Sequence, residues 1–260
     1  MKTRRARIAQ LMLLLLVTNI NTVIPQTTGN EVKARMVIVL LDVTPSFKSI
    51  DQALEQIKAV IQRLGPGDEF LLVEVGEPPF LPEKKVKFQA VMPSVPERLL
   101  SPSKNIHEWK QRQHTLDLIW AKVRGRQKLM LASLEQPIPL QHGGTDLYAA
   151  LEYAAQRFGA AKENRPKILL IYSDLVQDKG VPTNDPPKKG LAGFNQADVS
   201  VFFVPWESQE AWEGKENKWR AYFEACHVKS VAMSEPAQSQ TQTPLKESGI
   251  PKTPKSPFED

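Results

Sequence analysis

Asp42, Thr44 and Ser46 occupy alternate positions where the apolar run VIVLL (37–41) gives way to DVTPS. In a loop leaving a strand, residues i, i+2 and i+4 can all turn toward one point. Two further polar groups share that character: Gly143-Gly144-Thr145 ahead of an apolar-periodic segment, and Asp174 after the run KILLIY (167–172). Together they offer two carboxylates and three hydroxyls, all hard oxygen donors, with no thiolate or imidazole required. Such a set suits Mg²⁺ or Mn²⁺, which accept octahedral oxygen ligation and retain water. The glycine pair before Thr145 lets the backbone approach that point closely. A plainer reading stands beside this one. Thr44 or Ser46 could cap the following helix, Thr145 could be an N-cap, and Asp is common at strand ends.

The elements that must position these groups alternate between two periods. Residues 37–41 form a continuous apolar run, the pattern of a strand buried on both faces. Residues 47–64 carry Ile50, Ala53, Leu54, Ile57, Val60, Ile61 and Leu64 at helical spacing. Gly65-Pro66-Gly67-Asp68 turns the chain. Strands are expected at 70–75 and 86–92, the latter alternating, at an edge and antiparallel to its predecessor. A long polar helix spans 105–135, with Ile106, Trp109, Leu116, Ile119, Trp120 and Val123 apolar and Gly125 a candidate break. A helix over 146–160 presents Leu147, Ala150, Leu151, Ala154 and Phe158. A strand at 167–172, another at 199–205, a helix at 208–226 and a short strand at 228–233 complete the pattern. Strands alternating with helices predict an α/β fold, a mostly parallel sheet covered on both faces. In such sheets ligands sit beyond the carboxyl ends of the strands, where all three polar groups fall.

In this order the motifs DVTPS, HGGTDLYAAL and LLIYSDLVQD resemble the von Willebrand factor type A family over about residues 33–233. The resemblance implies a three-layer Rossmann-like fold with six strands and one antiparallel edge. It also implies a metal-ion-dependent adhesion site. Ser46 and Thr44 (or Thr145) would bind Mg²⁺ or Mn²⁺ directly, Asp42 and Asp174 would act largely through water, and an acidic residue of a protein partner would complete the shell. Gly144 and Asp178 would support the ligands. This sequence departs from the family at Thr44, where serine is commoner, and at Leu175, where many members carry glycine. The family is mainly a binding class, so a non-catalytic module is expected. The alternative is a metal-dependent hydrolase or phosphotransfer enzyme on a Rossmann-like fold. Haloacid-dehalogenase-like phosphatases would need a second Asp where Thr44 stands, and a Ser46 nucleophile would need G-x-S-x-G and a positioned His; neither is present.

Of 260 residues, 41% are hydrophobic and 24% charged, as in ordinary globular chains. Residues 1–30 hold four basic side chains and no acid, so they account for all but one unit of the formal net charge of +5. The remainder has no basic footprint for nucleic acid. The single cysteine, Cys226, excludes an internal disulfide and falls on a helical face with Trp219 and Phe223. Residues 1–30 combine a basic head with an apolar run at 11–17, the layout of a signal peptide. Export to the periplasm or outside the cell is expected, or a membrane anchor over 8–24. The loops 76–104 and 175–198, stiffened by prolines, would flank the site. Residues 234–260, with five prolines and no apolar period, read as a disordered tail.

Overall fold

The computed structural model describes residues 33–101, 105–161, 164–178, 182–202 and 209–234. The expected signal or anchor segment, all of the tail beyond Ser234, and the last residues of the strand expected at 199–205 lie outside them.

Strand β1 (Met36–Asp42) is buried at every position, which explains its unbroken apolar run. It pairs in parallel with β2 (Glu69–Val75) on one side and β4 (Lys167–Tyr172) on the other, in registers that begin Met36↔Glu69 and Met36↔Lys167. Beyond β2 lies β3 (Val86–Val91), antiparallel and at the edge as expected. Beyond β4 lie β7 (Ala197–Phe202) and β8 (Ser230–Met233), both parallel. The six-stranded order is therefore β3-β2-β1-β4-β7-β8.

The period of two along β1 divides the core. Val37, Val39 and Leu41 face one cluster, built with Ala53, Ile57 and Val60 of α1 (Ile50–Gln62) and with Val123 and Met130 of α3 (Ile106–Leu134). Ile38 and Leu40 face the other, built with Leu151 and Phe158 of α4 (Leu147–Gly159) and with Trp219 and Phe223 of α5 (Gln209–Ala225). Cys226 is buried in that second cluster, as its spacing predicts.

Three features differ from expectation. Helix α3 runs unbroken through Gly125, because a single interior glycine costs only about 1 kcal/mol relative to alanine, too little to break a 29-residue helix. Of its expected apolar face only Val123 is fully buried, with Met130 and Leu134 joining it. A 29-residue helix is roughly 43 Å long at 1.5 Å per residue, about twice the length of a seven-residue strand, so the sheet cannot cover it end to end. A short helix α2 (Pro82–Lys85) and a two-residue hairpin of β5 (Gln177–Asp178) with β6 (Pro182–Thr183) were not signalled by periodicity. Segments this short span barely one period, so no repeat can be read from them.

From β1 the chain steps outward to β2 and β3, then returns to β4 on the opposite side of β1. The strand order therefore reverses between β1 and β4. Their carboxyl ends lie side by side at this switch point, where α/β sheets open a crevice.

Candidate metal centre

At the end of β1 the Asp42 carboxylate is fully buried. Its Oδ1 accepts hydrogen bonds from the backbone N–H of Thr44 at 2.9 Å and from the Thr44 hydroxyl at 2.6 Å. Its Oδ2 accepts from the Ser173 hydroxyl at the end of β4, at 2.9 Å. Thr44 Oγ1 lies 2.9 Å from Ser46 Oγ and 3.5 Å from Thr145 Oγ1. The loop after β1 thus brings Asp42, Thr44 and Ser46 together, as alternate spacing allows, and the loop before α4 adds Thr145 across 101 residues of sequence. Thr44, Thr145 and Asp174 are buried, whereas Ser46 is exposed.

The capping roles do not apply. Helix α1 has Ser49 at its N-cap, without a side-chain capping bond. Helix α4 has Asp146 at its N-cap, and that carboxylate instead accepts from Phe80 N–H at 3.3 Å. The first turn of α4 is satisfied by Gln177, whose Oε1 accepts from Tyr148 N–H at 2.9 Å. The hydroxyls of Thr44, Ser46 and Thr145 are therefore not spent on helix ends.

Thr145 is held by a two-bond backbone bridge to Asp178, N–H to carbonyl in both directions at 3.0 and 2.9 Å. This approach requires glycine at 144. Gly144 has φ +97°, and a β-carbon there would stand 2.5 Å from the Asp178 carbonyl oxygen. Asp178 contributes mainly its backbone, with its carboxyl carbon on the Gly144 side. Gln141 ties the same loop to its neighbours: its N–H donates to the Val43 carbonyl at 3.0 Å, and its Oε1 accepts from Glu77 N–H at 3.2 Å and from the buried Lys85 ammonium.

Asp174 is oriented by its own loop, its Oδ1 accepting from Val176 N–H at 3.0 Å. The Lys215 ammonium of α5 donates to the Asp174 carbonyl at 3.1 Å. Leu175 has φ +59°, so the left-handed conformation expected of a glycine is present here on a leucine. Its side chain is fully buried in the α4–α5 cluster, which holds the conformation against a cost of roughly 1–2 kcal/mol.

Burial raises the pKa of Asp42 from 3.8 to about 6; the negative charge of Asp174 adds to the rise, while the bonds from Thr44 and Ser173 oppose it. Burial likewise lowers the Lys215 ammonium, and the Asp174 charge partly restores it. Two buried carboxylates whose charges repel, and the hydroxyls of Thr44, Ser46 and Thr145 beside Asp42, are hard oxygen donors of the kind a small divalent cation takes. Among the described residues no group of three or more His, Cys, Asp or Glu side chains is placed to hold a metal ion, so any ion here would depend on the hydroxyls as well as the two carboxylates.

Ser173, Gln141, Gln177 and Lys215 were not anticipated. Ser173 carried a signal, a hydroxyl beside an acid at a buried strand end. Gln141 and Gln177 lie within four residues of Thr145 and Asp174 but their amides carry no pattern that marks a role, and Lys215 reaches the site from α5, 41 residues beyond Asp174.

No family model and no curated protein matches the sequence. Among solved structures the chain is similar to a von Willebrand factor type A protein from Catenulispora acidiphila, at 14% identity over 80% of this chain and 40% of that one, with a TM-score of 0.38. It is also similar to VWA2, the ArnB paralog of Sulfolobus acidocaldarius, at 12% identity over 80% and 44% of the two chains and a TM-score of 0.43. The manganese-loaded TRAP protein of Plasmodium vivax is similar at 11% identity over 78% and 69%, with a TM-score of 0.39. The chain spans less than half the length of the first two. The chain itself folds as an α/β domain with a six-stranded, mostly parallel sheet, β1 central, β3 an antiparallel edge and helices on both faces, the architecture that the resemblance to the von Willebrand factor type A family implies.

Proposed function

We propose that the chain is a non-catalytic binding module that engages an acidic residue of a protein partner through Mg²⁺ or Mn²⁺ held by Asp42, Thr44, Ser46, Thr145 and Asp174. The observation that carries this reading is the convergence on Thr44 Oγ1 of the Ser46 and Thr145 hydroxyls, 2.9 and 3.5 Å away, beside the buried Asp42 carboxylate. A bound divalent ion would supply an electrophilic position for a carboxylate from outside. The chain's own residues do the rest. Asp42 holds Thr44 in place through Oδ1, and Ser173 anchors the other carboxylate oxygen. The backbone bridge to Asp178 fixes the position of Thr145, and Ser46 is exposed, within reach of a partner. The basic head and apolar run of residues 1–30 support an exported location, periplasmic or extracellular, where divalent cations and protein partners are both accessible. Among the described residues no helix is long and apolar enough to cross a membrane.

Thermal unfolding of the full chain in EDTA, Mg²⁺ and Mn²⁺, with Asp42→Ala alongside, tests the reading. Metal at about 100 times its dissociation constant stabilises by roughly 2.7 kcal/mol. A metal-dependent rise in Tm that disappears in the variant is expected. No rise at millimolar metal with acetate present as a carboxylate surrogate overturns it. For the partner, capture in Mg²⁺ that is lost in EDTA and in Asp174→Ala is expected.

A further inference from the structure

Lys215 is a feature of the site that the oxygen-donor set does not require. It projects from α5, half-buried, and its ammonium sits 3.1 Å from the Asp174 carbonyl, close enough for the Asp174 carboxylate to attract it. Resting on the metal-binding reading above, we infer that Lys215 is a specificity-determining residue: its fixed positive charge weakens the site's hold on a divalent cation alone and makes the loaded site require a carboxylate.

Charge accounts for this. Asp42 and Asp174 carry two negative charges at most, which a divalent ion neutralises. Lys215, bonded to the Asp174 carbonyl, then leaves an excess positive charge beside the loaded site. An incoming carboxylate answers that charge; water does not. Of the other acids nearby, Asp178 lies on the Gly144 side with its backbone committed to Thr145, and the buried Asp146 carboxylate accepts from Phe80 N–H. The hydrogen bond from Lys215 to the Asp174 carbonyl prevents the ammonium from swinging away, so the charge stays with the site.

The test uses the full chain, Mn²⁺ as the probe and free Mn²⁺ measured by electron paramagnetic resonance, with and without acetate. The variants are Lys215→Gln, which removes the charge and keeps a donor, and Lys215→Arg, which keeps the charge. In the wild type, acetate strengthens Mn²⁺ binding. In Lys215→Gln, Mn²⁺ alone binds more tightly, by roughly three- to tenfold as expected for removing one unit charge at short range in a partly solvated site, and the acetate effect shrinks. Lys215→Arg behaves as the wild type. Melting each variant in EDTA separates a structural role, which would lower Tm without tightening Mn²⁺ binding. Unchanged or weaker Mn²⁺ binding in a folded Lys215→Gln overturns the inference while leaving the metal site standing. Absence of Mn²⁺ binding in the wild type with acetate present overturns the metal reading, and this inference with it.

Discussion

Asp42 shows how a single buried group couples fold stability to pH. Its pKa rises from 3.8 to about 6 on folding, chiefly through burial. Below the lower value both folded and unfolded chains hold the proton. As pH rises between the two values the unfolded chain releases its proton first, so the folded state loses stability, by up to about 3 kcal/mol for a shift of this size. Above about pH 6 the loss is complete and constant. In EDTA the wild type should therefore weaken from pH 4 to pH 6.5 relative to Asp42→Asn, as read by urea unfolding at each pH; parallel curves for the two proteins would contradict this. On the proposed metal-binding reading Mg²⁺ would take the ionised carboxylate, so any stabilising increment from Mg²⁺ should grow over the same interval. Leu175 carries a second residue-scale prediction. Leu175→Gly relieves the left-handed strain but empties a core position, and Leu175→Ala empties it while keeping the strain. Both should destabilise, with the alanine variant worse by about 1 kcal/mol in denaturant unfolding, since αL favours glycine by roughly that amount. An alanine variant as stable as the glycine variant would show that the +59° conformation costs nothing.

At the scale of elements, helix α3 and the loop before α4 illustrate two uses of glycine. Gly125 sits in the interior of α3 with open space around it, so it serves neither packing nor a turn. Gly125→Ala should raise stability by about 0.5–1 kcal/mol through helix propensity alone, measurable as a shift of the denaturation midpoint with an unchanged m-value; a loss of stability would mean that the helix bends there in solution. Gly144 is the opposite case, held at φ +97° against the Asp178 carbonyl. The loop 141–146 is fixed from three sides, by Val43, by Glu77 with Lys85, and by Asp178. That rigidity lets Thr145 be placed without a ligand present, which lowers the ordering cost of binding.

Across the whole molecule the two edges of the sheet do separate work. At the amino ends of β1 and β2, buried Asp68 accepts from the Arg35 side chain at 2.5 Å and from the backbone N–H groups of Arg35 and Gly65 at 2.8 Å each. At the carboxyl ends lies the candidate metal centre. Asp68→Ala should cost about 3 kcal/mol, because buried donors lose their charged acceptor, yet leave the metal-dependent rise in Tm unchanged. Calorimetry with and without Mg²⁺ checks both parts. A metal increment that falls with global stability would mean that the edges are coupled through the sheet.

The sequence by itself determined the alternation of strands and helices, the antiparallel β3 edge, the core role of Cys226 and the polar residues at the ends of β1 and β4. Each rests on a local signal: an apolar run, a 3.6-residue period, or a hydroxyl beside an acid. It could not determine that Thr44, Ser46 and Thr145 are free of helix capping, because Ser49, Asp146 and Gln177 were equally able candidates or lay beyond any local window. Nor could it reveal that Leu175 adopts the left-handed conformation, which depends on a buried pocket formed by α4 and α5. The adjacency of β1 and β4 set Asp42 against Ser173 across 131 residues, and the packing of α5 brought Lys215 to Asp174 across 41. Those contacts are long-range, so they exist only once the sheet has chosen its strand order.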